Sequence, residues 1–322
     1  MEFSEMSEGK DARGLLVIDT DCGSDDAMAI MAALGQWGRQ SHRLVAITCC
    51  FGNATVEHVC QNVLRVLHAC GETEIPVYRG SYGPLLKHPD TPEIVHGSDG
   101  FGDCAHLFPT GQGRLEELPA PAALVELSRT HGPFTLAALG PLTNVALAQR
   151  LDPGFTKRLE RIVFLGGNYK GVGNTTESAE FNFYCDPEAA HIVLSEAQCP
   201  VQMVPWETTM EYGIEWKEFD ALMDTPTDKA RLLKAATSIV REICVRDEYG
   251  QFLDCDLLAV AVALRPECVT GSRRTCASVE CSGTLTRGMV VCQKPRPSRN
   301  RIEIVEKLDE EILSRLRKEM VQ

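Results

Sequence analysis

The chain has 322 residues, 44% apolar and 24% charged, enough to bury a full core and unlike a disordered or fibrous sequence. Its 32 Lys and Arg against 45 Asp and Glu leave a net charge of -13, which disfavours a nucleic-acid polymer or an anionic membrane as partner. A cation or a small neutral substrate fits better. No apolar run approaches the roughly 18 residues of a membrane span, and the acidic opening MEFSEMSEGKDARG lacks a signal peptide's apolar centre, so a cytoplasmic protein is expected. The 14 cysteines are spread through apolar segments, none spaced C-x-x-C, and Cys276 and Cys281 have no histidine near them in sequence. They read as reduced core residues, not as disulfides or a zinc site.

Taken in chain order, short apolar runs alternate with helical patterns. LLVID (15–19) reads as a strand, followed by a helix from Ser24, a strand RLVAITCC (43–50), a helix from Thr55 to about Cys70, and the strand-like PVYRG. The segment from Ser81 to Arg114, rich in Gly, Pro and His, has no period and reads as a long functional loop. FTLAAL (134–139) then precedes a helix opened by Pro141, and RIVFLGG (161–167) leads towards a helix opened by Asp186-Pro187, with VQMVPW (201–206) after it. That alternation means an α/β fold, a mainly parallel sheet with helices on both faces. Helical stretches near 215–247 and 256–264, strand-like CASVEC and GMVVCQ, and a charged helix from about Asp309 are helical and hairpin additions. With no linker or composition break, residues 1–322 read as a single domain, with 1–13 a flexible N-terminus.

The most informative stretch is VIDTDCGSDDA (17–27), where a strand ends, Gly23 turns the chain and Ser24 can cap an apolar helix. Asp19, Asp21, Asp25 and Asp26 therefore crowd one strand-to-helix turn. A helix N-terminus favours each nearby carboxylate by only about 0.3–1 kcal/mol, too little to hold four like charges together. A bound cation would solve that problem, and turns at the carboxyl ends of parallel strands are where ligands bind. The alternative is a solvated acidic turn, but a helix apolar all round must be buried. An EF-hand is excluded, because Gly23 and Ile30 stand where it needs Asp and Glu. A Mg-dependent phosphatase of the haloacid-dehalogenase type also begins with Asp-x-Asp, using Asp19 as the phosphate acceptor. Its pattern has Thr or Val at the position of Gly23.

DTDCGSDDAMA closely resembles the N-terminal signature of the inosine-uridine preferring nucleoside hydrolase family. The resemblance continues through Phe51-Gly52-Asn53, VHGSDGFGD around His96, ALGPLTNVALA (138–148), LGGNY (165–169), ESAEFNFYCDPEAAHIV (177–193), LTRGMVV and KPRPSRNRIEIVEKLD. It implies that Asp21, Asp26, Asp256 and the carbonyl of Leu139 bind Ca2+, which also takes two ribose hydroxyls and a water. Asp25 would touch the ribose or the calcium shell, and Asp19 would support the turn. Asn53, Asn174, Glu180 and Asn182 would hold the ribose hydroxyls, with His96 near the 5′ end; each Asn taken alone is more often a turn former, and only the joint match makes it a binding residue. The AEFNF stretch reads as extended, so Glu180 and Asn182 should share a face, with Phe181 and Phe183 on the other.

The resemblance implies hydrolysis of the N-glycosidic bond of a ribonucleoside to ribose and free base by a homo-oligomer, a dimer or tetramer. Asp21 would take the proton of the attacking water, and carboxylates around the sugar would favour an oxocarbenium-like transition state. One position departs from the family. Cys255 stands where well-studied members have a histidine that helps the base leave, which keeps open a non-catalytic calcium and ribose binder as an alternative. Trp206 can be core or can stack on a base, and the base pocket should come from the long loop and the helices around 215–250.

Overall fold

The structure is a computed structural model that describes residues 13–86, 95–294 and 301–322. The expected flexible N-terminus lies outside the described residues except for Arg13. The strands are β1 (Gly14–Thr20), β2 (His42–Cys49), β3 (Val77–Arg79), β4 (Leu115–Glu116), β5 (Thr135–Ala138), β6 (Arg161–Leu165), β7 (Val201–Val204), β8 (Ile214–Glu215), β9 (Gln251–Phe252), β10 (Val269–Val279), β11 (Val290–Gln293) and β12 (Ile302–Leu308). The helices are α1 (Ser24–Ala33), α2 (Gln36–Ser41), α3 (Val56–Ala69), α4 (Ala120–Thr130), α5 (Thr143–Leu151), α6 (Phe181–Cys185) and α7 (Pro187–Glu196). Beyond them come α8 (Trp206–Glu211), α9 (Trp216–Met223), α10 (Asp228–Ala236), α11 (Ser238–Arg246), α12 (Cys255–Leu264) and α13 (Glu310–Met320).

Among the described residues one 10-stranded sheet runs in the order β11-β10-β12-β7-β6-β5-β1-β2-β3-β4. From β4 to β12 every pair is parallel, while β10 pairs antiparallel with β11 and β12. The expected mainly parallel sheet with hairpin additions is therefore present. After β1 the chain builds outward through β2, β3 and β4, then returns to lay β5 on the other side of β1. That reversal makes a crevice at the carboxyl ends of β1 and β5, the usual ligand position in an open parallel sheet.

Alternating strand residues feed two cores, because successive side chains leave a strand on opposite faces. Leu16 and Ile18 of β1 join one core with α1, α3, α12 and α13; Val17 joins the other with α4, α5 and α7. All ten residues of α1 are buried, as an all-round apolar helix demands, and α12 (CDLLAVAVAL) packs against it with all but its first residue buried.

Some local expectations change. The helix expected to open at Pro141 starts at Thr143, with Leu142 as its N-cap. The structure adds a helix, α4 at APAALVELSRT, and a strand, β12 at IEIVEKL, to the elements expected above. Asp186-Pro187 opens a helix as expected: the Asp186 carboxylate caps α7 through Ala189 N at 3.0 Å and also accepts from Thr143 Oγ1 (2.6 Å) and Leu85 N (2.9 Å). Fully buried, it ties α5, α7 and the start of the long loop together. Asp186→Ala strands three donors and should lower the unfolding free energy by about 2–4 kcal/mol in a urea titration. A loss under about 0.5 kcal/mol would contradict this account of the cap.

Candidate active site

The acidic turn is held by its own backbone. Gly23 is the N-cap of α1, and Asp26 reaches back to accept its N–H at 2.9 Å, so the cap expected of Ser24 is made the other way round. The Ser24 hydroxyl goes instead to His96 Nδ1, at 3.0 Å. Asp26 also accepts from the Thr20 hydroxyl and from Asn53 Nδ2 (3.2 Å), while Asn53 N donates to Asp21 at 2.9 Å. The Asp21 carboxylate lies against backbone at Gly52 and Gly140; a Cβ at Gly140 would sit 2.6 Å from its Oδ1, and one at Gly52 would overlap it. Asp19 sits below, fully buried, accepting from Thr48 Oγ1 (2.5 Å) and Asn144 Nδ2 (2.8 Å), as suits a residue that supports the turn.

The second half of the cluster comes from α12, whose first turn carries Asp256. Asp25, Asp26 and Asp256 present carboxylate oxygens within 4.8 Å of one another, all buried. Like charges this close and this dry resist ionisation. Burial, and for Asp26 the charge of Asp25, pushes Asp25 and Asp26 up from 3.8 to about 6, and burial pushes Asp19 to about 7. Asp21 and Asp256 rise further, through burial and then neighbouring carboxylates. Asp25 Oδ1 and Asp256 Oδ1 are buried without a hydrogen-bond partner, and no thiol or imidazole belongs to the cluster. An all-oxygen set with orphaned acceptors fits a hard divalent cation. Of the carboxylates expected to hold the ion, Asp26 and Asp256 meet here, but the third member of the group is Asp25, expected only at the ribose or the outer shell, while Asp21 lies beside it on the cavity wall.

The opposite wall departs from the extended reading. Residues 181–185 form the short helix α6, with Glu180 as N-cap: its Oε1 accepts from Asn182 N (2.9 Å) and its Oε2 from Phe183 N (3.2 Å) and Gly167 N (2.7 Å). Phe183 is buried against Phe164, but Phe181 lines the cavity instead of pointing away. Alternation misread a capping residue as a strand position. Asn182 spends Nδ2 on the carbonyls of Leu139 (2.6 Å) and Leu165 (3.2 Å), which leaves Oδ1 to accept from a ligand.

A cavity of about 250 Å³ separates these walls. Asp21, Asp25, Asn53, His96, Leu139, Asn174, Glu180, Asn182 and Asp256 all line it, with Asp26 just behind in the carboxylate cluster. His96 is neutral: burial lowers its pKa to about 4, and because Ser24 N donates to Nδ1 at 3.2 Å, the ring proton sits on Nε2, 3.7 Å from Asp25. Cys255 also faces the cavity, its thiol held neutral by burial and then by Asp25. At the far end stand Trp206, Thr209, Val240, Ile243, Cys244, Arg246, Asp247, Tyr249 and Leu253. Of the helices expected there, α11 contributes and α9 and α10 do not. Thr209 and Tyr249 had no motif to reveal them.

The sequence profile of the inosine-uridine preferring nucleoside hydrolases matches residues 16–315. The chain belongs to this family. It is 33% identical over 299 residues to the inosine-uridine preferring nucleoside hydrolase of Crithidia fasciculata, covering 91% of this chain and 93% of that one. A probable uridine nucleosidase 2 of Oryza sativa subsp. japonica is 41% identical over 181 residues, 56% of this chain and 53% of its own length. A solved inosine-guanosine nucleoside hydrolase superposes with a TM-score of 0.85 at 32% identity, covering 96% of this chain and 98% of that one. As a member of this nucleoside hydrolase family, the chain is an enzyme that hydrolyses the N-glycosidic bond of nucleosides. The phosphatase alternative falls away. No helix among the described residues is long and apolar enough to cross a membrane.

The raised carboxylates fix the sign of a pH effect. A carboxyl whose folded pKa lies above its unfolded value adds stability below about pH 4, and that stability is lost as the pH rises through about 6 to 7. The chelated enzyme should therefore melt at a lower temperature at pH 7.5 than at pH 5. A divalent cation, which favours the ionised forms, should raise the melting temperature more at pH 7.5. Thermal melts with and without chelator test both, and a chelated protein that gains stability across that interval contradicts the assignment.

Proposed function

We propose that this nucleoside hydrolase is a calcium-dependent ribonucleosidase that releases ribose and a free purine or pyrimidine. The observation that carries the reading is the meeting of carboxylates from the first turns of α1 and α12, facing Glu180 and Asn182 across one cavity. Asp21, Asp26, Asp256 and the Leu139 carbonyl would hold the ion, with Asp25 close enough to share it. When bound, calcium supplies the positive charge that keeps these carboxylates ionised and lowers the pKa of a neighbouring water.

Asp21, set by Asn53 and by the backbone at Gly52 and Gly140, accepts the proton of the water that attacks C1′. Glu180, Asn182, Asn174, Asn53 and Asp25 hold the sugar hydroxyls, and His96 offers Nε2–H towards the 5′ end. As the C1′–N bond breaks, its electron pair leaves with the base, and the surrounding carboxylates favour the positive charge developing on the ribose. Cys255 stands where a stronger acid would help the base depart, and a neutral thiol donates a proton poorly. The enzyme therefore depends on the sugar end more than on protonation of the base. All 14 cysteines are free, which suits a reducing, cytoplasmic compartment.

Purified enzyme should release reducing sugar from ribonucleosides, lose that activity on chelation and recover it with calcium. Asp21→Asn should cost at least about 100-fold in kcat with calcium still bound; retention of more than about a tenth of the rate removes Asp21 as the base. p-Nitrophenyl riboside, whose leaving group needs no proton, should be cleaved much faster than inosine or uridine. Cys255→Ala should leave that faster reaction within about twofold, and a loss of about 100-fold on both substrates, with metal and fold intact, would place the thiol in the chemistry.

A further inference from the structure

Arg317 of α13 is the one buried Lys or Arg among the described residues. Its guanidinium grips Asp254 with two bonds, Nε to Oδ2 and Nη2 to Oδ1, both 2.8 Å, across 63 residues of chain. The pair is almost dry, with side chains 6% and 0% exposed. Asp254 is the N-cap of α12, so its backbone leads directly into Cys255 and Asp256. Nη2 also donates to the carbonyl of Tyr212, the C-cap of α8, from which Trp206 and Thr209 reach the cavity. The same helix α13 buries Leu313, Leu316 and Met320 and packs against both α1 and α12. One side chain thus spans the two elements that flank the far wall, and the helix bearing it backs both halves of the carboxylate cluster.

We propose that Arg317 is a positioning residue for the metal site: its bidentate grip on Asp254 fixes the first turn of α12, and with it the aim of Asp256 at the cation. This rests on the metal reading above. Geometry, not charge alone, is what the fork supplies, since a planar guanidinium sets two oxygens and a lysine ammonium does not. The pair also withholds Asp254 from the cluster; unpaired, it would be a further buried anion beside Asp25, Asp26 and Asp256. Glu218, whose carboxylate accepts from Ser314 Oγ at 3.0 Å, faces the same side of α13.

The two roles predict opposite signs. If Arg317 acted only through its charge, Arg317→Met would make the site more negative and tighten calcium binding, and Arg317→Lys would change nothing. Positioning predicts that both substitutions weaken it, by roughly 10–100-fold as for other groups that orient metal ligands. The experiment is calorimetric titration of calcium into the chelated full chain, below the melting temperature of each variant, with circular dichroism to establish folding. Arg317→Met can unfold the chain by stranding Asp254, so Arg317→Lys decides. A purely architectural role lowers the melting temperature of the lysine variant without moving its calcium Kd. A folded Arg317→Lys that binds calcium within about twofold of wild type overturns the inference. Wild type that binds no calcium overturns the calcium reading instead, and this inference with it.

Discussion

Burial of like charges is the constraint on which the rest of the molecule depends. Asp21, Asp25, Asp26 and Asp256 are at most 8% exposed and crowd one spot, where desolvation and mutual repulsion both oppose ionisation. The fold contains the repulsion without solvating it. Two helices apolar on every face run into the core side by side, which brings their first turns, the ends with partial positive charge, to the same place. Asp26 satisfies both oxygens on Thr20, Gly23 and Asn53, whereas Asp25 and Asp256 each keep an oxygen without a partner. The hydrogen bonds hold Asp26 in a fixed pose, and the unpartnered oxygens beside it suit a cation that all three carboxylates could share.

The sheet explains why this spot lies where it does. The chain reverses direction across the sheet between β1 and β5, so the connections leaving the carboxyl ends of those paired strands run opposite ways, and the turn after β1 lines one cavity with Leu139, the residue after β5. Glu180 and Asn182 close the crevice from a short helix after β6, each tied to backbone that itself belongs to the sheet ends. Such groups need not reorganise when charge develops on a sugar. The other end of the cavity is built differently, from α8, α11 and the turn before α12, with Trp206, Val240, Ile243, Cys244 and Tyr249 as its surface. Part of α11 is exposed, Val245 to 55%, so this wall rests on far less packing than the sugar wall.

The parallel sheet and most of its strands were legible because each rests on local pattern: apolar runs and capping residues. The residues that meet around the cavity were legible for a different reason. An Asp-rich turn at the end of an apolar strand is already an electrostatic problem on paper, and the family likeness brought Glu180, Asn182 and Asp256 to it. Alternation alone does not describe AEFNF, because Glu180 caps a helix through contacts with Gly167 and its own next turn. The strand β12 is defined by its pairing with β7 and β10, and α4 by its packing on the second core, contacts between segments far apart in the chain.

The sequence by itself determined that four carboxylates crowd one strand-to-helix turn and that the helix following it, apolar all round, is buried. Only the tertiary structure decided that Asp25 stands with Asp26 and Asp256, that His96 is neutral with its proton on Nε2, and that Arg317 grips Asp254 from 63 residues away. These are properties of distance between segments far apart in the chain. Periodicity and spacing report the conformation of a segment, whereas protonation and ligand geometry depend on which other segments remove its water and supply its hydrogen bonds.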